Sequence, residues 1–255
     1  MCKLHLILLL QICFIINVSY AQSDTASFSD NFDESDNSIL LKKEWSVNVI
    51  AASRGLGISY YNGKHLTGFK KRMLEAEFVE MKHPKEIKSL NAYDNAKSYV
   101  YGKLNNLFII RTGIGIQRIV NEKPLWGGVE VRYFYYGGFS LGITKPVYLY
   151  IINFNMPGEY DITLERYNSD EHYTDNIYGR GPFAKGFYHL KFYPGIYTKT
   201  GLNFEFGTEN ENLRALETGI CVDFYPKPIE IMAFNKSEYY FLSFYLSFNF
   251  GKRKY

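Results

Sequence analysis

The stretch FLSFYLSFNFGKRKY, residues 241–255, alternates without a break. Leu242, Phe244, Leu246, Phe248 and Phe250 fall on one side of an extended chain, and Ser243, Tyr245, Ser247, Asn249 and Gly251 on the other. Successive side chains of a strand point to opposite faces, so this segment builds one greasy face and one small, polar face. Two environments accept such a strand. In a soluble protein the apolar face packs into a core and the polar face meets water. In a membrane barrel the apolar face meets lipid and the polar face lines the interior.

The charges elsewhere in the chain favour the second environment. Leu74, Ala76 and Phe78 oppose Glu75 and Glu77; Phe108, Ile110, Ile114 and Ile116 oppose Arg111 and Gln117. Val129, Val131, Tyr133 and Tyr135 oppose Glu130 and Arg132; Leu202, Phe204 and Phe206 oppose Lys199, Asn203 and Glu205. Leu216, Ile220, Val222 and Phe224 oppose Glu217 and Asp223. These runs reach about nine residues or more, enough to cross a hydrocarbon layer when tilted. Gly, Ser and Asn accompany the charges, which suits a crowded, narrow lumen. Small barrels fill their interior with side chains, and buried charges are costly unless paired. The reading therefore gives a structural ion-pair network inside the barrel, formed by Glu75, Glu77, Arg111, Glu130, Arg132, Lys199, Glu205, Glu217 and Asp223.

Composition agrees. The 255 residues are 46% hydrophobic and 22% charged, which excludes a disordered chain. Aromatics reach 18%, with 23 Tyr and 20 Phe against 2 Trp, as suits pleated surfaces and interfacial girdles. The net charge of +3, with no arginine-rich run, argues against nucleic acid. The opening MCKLHLILLLQICFIINVSYAQS has a lone Lys3, an apolar stretch from Leu4 to Val18 and small residues at Ser19 and Ala21. It reads as a signal peptide over 1–21, cleaved before Gln22. Residues 22–43 read as a flexible acidic leader, and 44–255 as the barrel. Cys2 and Cys13 leave with the signal, so Cys221 remains alone, with no internal disulfide and no cysteine metal site. No other segment is long and apolar enough for a spanning helix, so a membrane form must cross with strands.

The expected fold is all-β: a closed antiparallel transmembrane barrel of about eight strands, ten being the alternative count. The first run is expected from Trp45 to about Tyr61, with a bulge near Ala52 to Arg54, and Asn62-Gly63 as the following hairpin turn. Further runs fall near 66–80, 104–120, 128–136, 139–154, 191–207, 212–225 and 239–251, with a tight turn at Gly137-Gly138 between the fourth and fifth. Long connections remain at 81–103, 155–190 and 226–238. With both termini periplasmic, the first of these faces the periplasm and the other two face outward.

Several segments carry a resemblance: KHLTGFKKRMLEAEFVEMK at 64–82, SYVYGKLNN at 98–106, GGVEVRY at 127–133, KPVYLYI at 145–151, DNIYGRGPFAKG at 175–186, GLNFEFG at 201–207 and FYLSFNFGKR at 244–253. Together they resemble a family of exported Bacteroidota proteins taken to be outer-membrane β-barrels. The resemblance implies the outer membrane of a Gram-negative bacterium and supplies no catalytic or binding residue. By general pattern the chain also resembles small OmpA- or OmpX-like barrels.

The candidate chemistry is sparse. His65, His83, His172 and His189 lack a serine placed for a triad. GRGPFAKG at 179–186 lacks the Lys-Ser/Thr ending and the strand-then-helix setting of a phosphate loop, and reads as a tight turn or loop anchor. Arg180 and Lys185, beside Tyr178 and Phe183, offer contacts to lipopolysaccharide phosphates or a partner. Asp170, Glu171 and Asp175 lack the spacing of a calcium loop, and KHPKEIK at 82–88 reads as a solvated loop. No catalytic residue, metal or cofactor is expected. The expected role is structural or interaction-based, with outer-membrane lipid and lipopolysaccharide around the wall and envelope proteins meeting loops 81–103 and 155–190. A lipid A-modifying barrel enzyme and a narrow channel or transporter are the alternatives.

Overall fold

The computed structural model describes residues 43–91, 93, 96–122, 128–156, 159–206 and 211–254. The expected signal peptide over 1–21, and all but the last residue of the expected leader over 22–43, lie outside the described residues. The described strands in chain order are β1 (Lys43–Ala52), β2 (Gly55–Thr67), β3 (Lys70–Met81), β4 (Lys88–Ser89), β5 (Tyr99–Val100), β6 (Asn105–Asn121), β7 (Glu130–Pro146), β8 (Tyr148–Met156), β9 (Glu159–Arg166), β10 (Ile177–Arg180), β11 (Lys191–Phe206), β12 (Asn212–Ile229) and β13 (Glu238–Lys254).

Eight of them form a closed antiparallel ring in the order β1-β13-β12-β11-β7-β6-β3-β2. The ring shuts where β1 meets β13, with Val47 opposite Phe250 and Val49 opposite Phe248. The remaining strands form a three-stranded sheet, β10-β8-β9, and a two-stranded ribbon, β4-β5.

The strand count agrees with the sequence reading, but two of its turns do not exist and two real ones were missed. Ser53 and Arg54 make a hairpin between β1 and β2 rather than a bulge, because Ala52 pairs directly with Gly55. Asn62-Gly63 is no turn: it lies inside β2, where Gly63 pairs with Glu44 on one side and Met73 on the other. A Cβ at position 63 would come within 2.5 Å of Met73 Sδ and 2.7 Å of Glu44 Cγ, so glycine serves lumen crowding there. The second hairpin falls at Gly68-Phe69, between β2 and β3. Gly137-Gly138 likewise sits within β7, where a Cβ on Gly138 would meet Thr112 O at 2.2 Å. The runs near 128–136 and 139–154 are thus one wall strand plus β8, which leaves the wall after Pro146. One extra hairpin and one lost hairpin cancel in the count.

They do not cancel in the topology. With β1 and β2 separate, segments 82–104, 147–190 and 230–237 all emerge at the end opposite Lys43 and Lys254. The expectation that 81–103 faces the periplasm while the other long loops face outward is corrected: all three share one end.

Burial fixes which face is which. On the outer wall Phe139, Ile114 and Phe244 are 75%, 58% and 58% exposed, while inside Arg111, Lys199, Glu217 and Asp223 are 2%, 1%, 0% and 0% exposed. Large apolar side chains outside and ionic ones inside reverse the arrangement of a water-soluble domain.

Candidate functional site

The interior charges form two clusters. The central one is built from β3, β6, β11 and β12. Lys199 Nζ donates to Glu75 Oε1 at 2.6 Å, to Glu77 Oε2 at 2.9 Å and to the Tyr61 hydroxyl at 2.8 Å, and stands 3.8 Å from Glu217 Oε1. Arg111 grips Asp223 with two parallel bonds, Nε to Oδ1 at 2.8 Å and Nη2 to Oδ2 at 2.6 Å, and its Nη1 bonds Glu77. Such a fork matches carboxylate geometry and fixes orientation as well as charge.

Four carboxyls thus meet two cations. Neutral donors supply the rest: Tyr197 to Glu75 at 2.8 Å, Tyr61 and Tyr245 to Glu217 at 3.0 and 2.8 Å, and Ser140 to Asp223 at 2.9 Å. The Lys199 ammonium also lies 4.5 Å from the Tyr245 ring centroid.

The second cluster lies toward the end that holds Lys43 and Lys254. Lys71 donates to both Glu44 oxygens at 2.7 and 2.9 Å; Arg253 reaches Glu44 at 3.2 Å and also bonds Glu205; Arg132 bonds Glu130. The nine residues named from the sequence therefore divide: Glu75, Glu77, Arg111, Lys199, Glu217 and Asp223 join the centre, while Glu130, Arg132 and Glu205 join the lower cluster. Glu44, Lys71 and Arg253 were missed, as were the hydroxyls of Tyr61 and Tyr197. Their signal was parity: Lys71 continues the face of Glu75 and Glu77, and Arg253 continues that of Ser247 and Asn249.

Above the central cluster the lumen is stoppered by Met81, Leu107, Ile109, Tyr225, Ile229 and Phe241. The cavity beside Arg111 and Cys221 measures only about 10 Å³, close to the minimum for one water. We therefore expect silent records from the purified barrel in planar bilayers at 1 M salt, apart from leak; stepwise ion conductance would contradict the packed lumen.

At the opposite end from Lys43 the three long segments knit into a cap. Leu104 N donates to Ile231 O at 2.9 Å, Ala233 N to Gly102 O at 2.8 Å, Val147 N to Leu104 O at 2.9 Å and Arg180 N to Lys97 O at 3.2 Å. Asn91 binds the Thr174 carbonyl at 3.0 Å and also that of Ile177. Tyr99, Leu149, Ile151, Tyr167 and Ile177 form the cap's own apolar core. Glu165 is held below the usual carboxylate range by hydrogen bonds from Thr163 and Asn153 and by the nearby His172. Asn168 N–H donates to His172 Nδ1 at 3.0 Å, which leaves the proton on Nε2, 3.3 Å from Glu165.

A pocket of about 220 Å³ lies between the cap and the wall. Its cations are Lys82, Lys88, Lys103, Lys145, Arg180 and Lys185, against the carboxylates of Glu80 and Glu86. The run 82–88, expected to be merely solvated, thus supplies three of its lining residues. Lys103 is paired with Glu86 at 2.6 Å. Among the described residues the other five cations have no carboxylate within 4.0 Å. Lys145 is 2% exposed, donates to Phe183 O at 2.6 Å and Lys185 O at 3.3 Å, and sits 3.9 Å from the Phe183 ring centroid.

The four histidines among the described residues are scattered. His65 lies 3.4 Å from Glu44 in the lower cluster, His83 lies 3.8 Å from Glu238, and His172 is in the cap core. His189 lies 3.5 Å from the Tyr148 hydroxyl. No described hydrogen bond joins a histidine to a serine hydroxyl.

No family model matches the chain, and no curated protein does. Among solved structures the chain is similar to neisserial surface protein A (NspA), at 9% identity and a TM-score of 0.38, over 83% of this chain and 95% of that one. It is similar to Ail, the attachment invasion locus protein of Yersinia pestis, at 6% identity and 0.38, over 83% and 96%. It is also similar to the N-terminal β-barrel domain of Pseudomonas aeruginosa OprF, at 11% identity and 0.33, over 82% and 96%.

Proposed function

We propose that this chain is an integral outer-membrane protein of a Gram-negative bacterium with a structural or interaction role. It is exported by the signal peptide over 1–21 and presents its three-segment cap to envelope partners, with outer-membrane lipid and lipopolysaccharide around the wall. The observation that carries the reading is the inverted polarity: side chains such as Phe139, 75% exposed, cover the outside, while Lys199 and Asp223, 1% and 0% exposed, pair within. Open water would penalise that exterior, and hydrocarbon would not. The resemblance of the segments quoted above to exported barrel proteins supports the same compartment. A stoppered lumen supports a role for the cap over one for a pore, and scattered histidines give a lipid A-modifying enzyme little to work with.

The reading is tested by envelope fractionation with gels run on unboiled and boiled samples. The chain is expected in the outer-membrane fraction, migrating faster unboiled. Recovery from the soluble periplasm with identical migration in both lanes would overturn it.

A further inference from the structure

The basic pocket lies outside the lumen. On β7 the inward side chains are Arg132, Phe134, Tyr136, Ser140 and Thr144, so Lys145 projects from the opposite, outer face. Its cross-strand neighbour Asn106 lies on the same outer face of β6 as Phe108 and Ile110. The chain over 182–186 then folds across Lys145. An aromatic strip joins this spot to the apolar belt: Phe78 stacks on Phe108 at 5.9 Å, Phe108 meets Phe183 edge-on at 6.3 Å, and Phe183 meets Phe187 at 5.7 Å.

We infer that this pocket holds the phosphate of an anionic membrane lipid, with the lipid's acyl chain lying along Phe108 and Phe78. The inference rests on the membrane reading above, because only then does the upper edge of the apolar wall coincide with headgroups. Three observations converge. Six cations against two carboxylates leave a surplus of four positive charges around one pocket. Lys145 is a buried ammonium held by two carbonyls and by the Phe183 ring, which leaves its charge without a carboxylate partner among the described residues. Arg180 adds a planar fork suited to phosphate oxygens. At about 220 Å³ the pocket is larger than a bare phosphate needs and smaller than the roughly 300–1,000 Å³ of drug-sized ligand sites. A headgroup fits that interval, and a neighbouring greasy strip suits a lipid over a soluble anion.

The test uses the folded full chain in nonionic detergent and native mass spectrometry. The probes are phosphatidic acid, a phosphate monoester, and phosphatidylcholine with the same acyl chains. Retention of phosphatidic acid is expected to be about tenfold or more above that of phosphatidylcholine, since basic side chains at a lipid surface favour an anionic headgroup additively. The double change Arg180→Gln with Lys185→Gln removes two exposed cations and leaves the cap core intact, so it is expected to abolish the preference. Arg118→Gln, on the outer face toward the other end, is expected to keep it. An undiminished preference for phosphatidic acid in the double variant, or displacement of the lipid by inorganic phosphate at equal concentration, overturns the assignment, the latter by making it a free-anion site. Failure of the membrane reading itself shows separately, as loss of heat-dependent gel migration in the unaltered chain.

Discussion

Replacing Lys199 with methionine is expected to lower the unfolding free energy by about 3–5 kcal/mol, the range for removing one partner of a buried ion pair. The substitution keeps the aliphatic stem but strips the cation from Glu75, Glu77 and Glu217, which are 4%, 4% and 0% exposed. Glu77 keeps Arg111, and Glu217 keeps four neutral donors in Tyr61, Tyr245, Asn203 and Asn249, so Glu75 is left worst placed, with Tyr197 as its remaining donor. Adding Glu75→Gln to the methionine variant should therefore recover part of the loss, whereas Glu75→Gln alone should not stabilise. Urea titration of the folded barrel in detergent, followed by gel migration, measures all three. A loss under about 1 kcal/mol for the single change would mean that water solvates the cluster.

Phe139→Arg is expected to cost about 2–4 kcal/mol for folding into lipid vesicles, the figure for arginine on the lipid face near a bilayer midplane. Phe139 sits midway along β7, between Thr112 on β6 and Ile196 on β11, and is 75% exposed. At such an exposed site in a water-soluble fold the same change would move stability by no more than about 0.5 kcal/mol. The two environments predict outcomes far enough apart for one measurement to separate them.

How much of this was legible beforehand depends on which physical rule each feature obeys. Face assignment was legible, because strand periodicity is strict: Glu75, Glu77, Arg111, Lys199, Glu217 and Asp223 all point where parity places them. Turn positions were not. Asn62-Gly63 and Gly137-Gly138 both read as turns, yet Gly63 and Gly138 are kept small by neighbours across the ladder, and a single sequence does not separate those causes. The true hairpin at Ser53-Arg54 carries a weaker signal, which reads in the sequence as a bulge. The basic pocket was only half visible. Arg180 and Lys185 stood out, but Lys82, Lys88 and Lys145 join them through cap contacts that span up to about a hundred residues of chain and leave no local pattern.

The seam between β1 and β13 joins Lys43 to Lys254, so the ring closes only when the first and last described strands of the wall pair. Until β13 is delivered, β1 and β12 each expose a row of unsatisfied amides and carbonyls, adhesive to any other strand. A wall with its seam still open is therefore sticky along two borders at once, and the single act of pairing them quenches both.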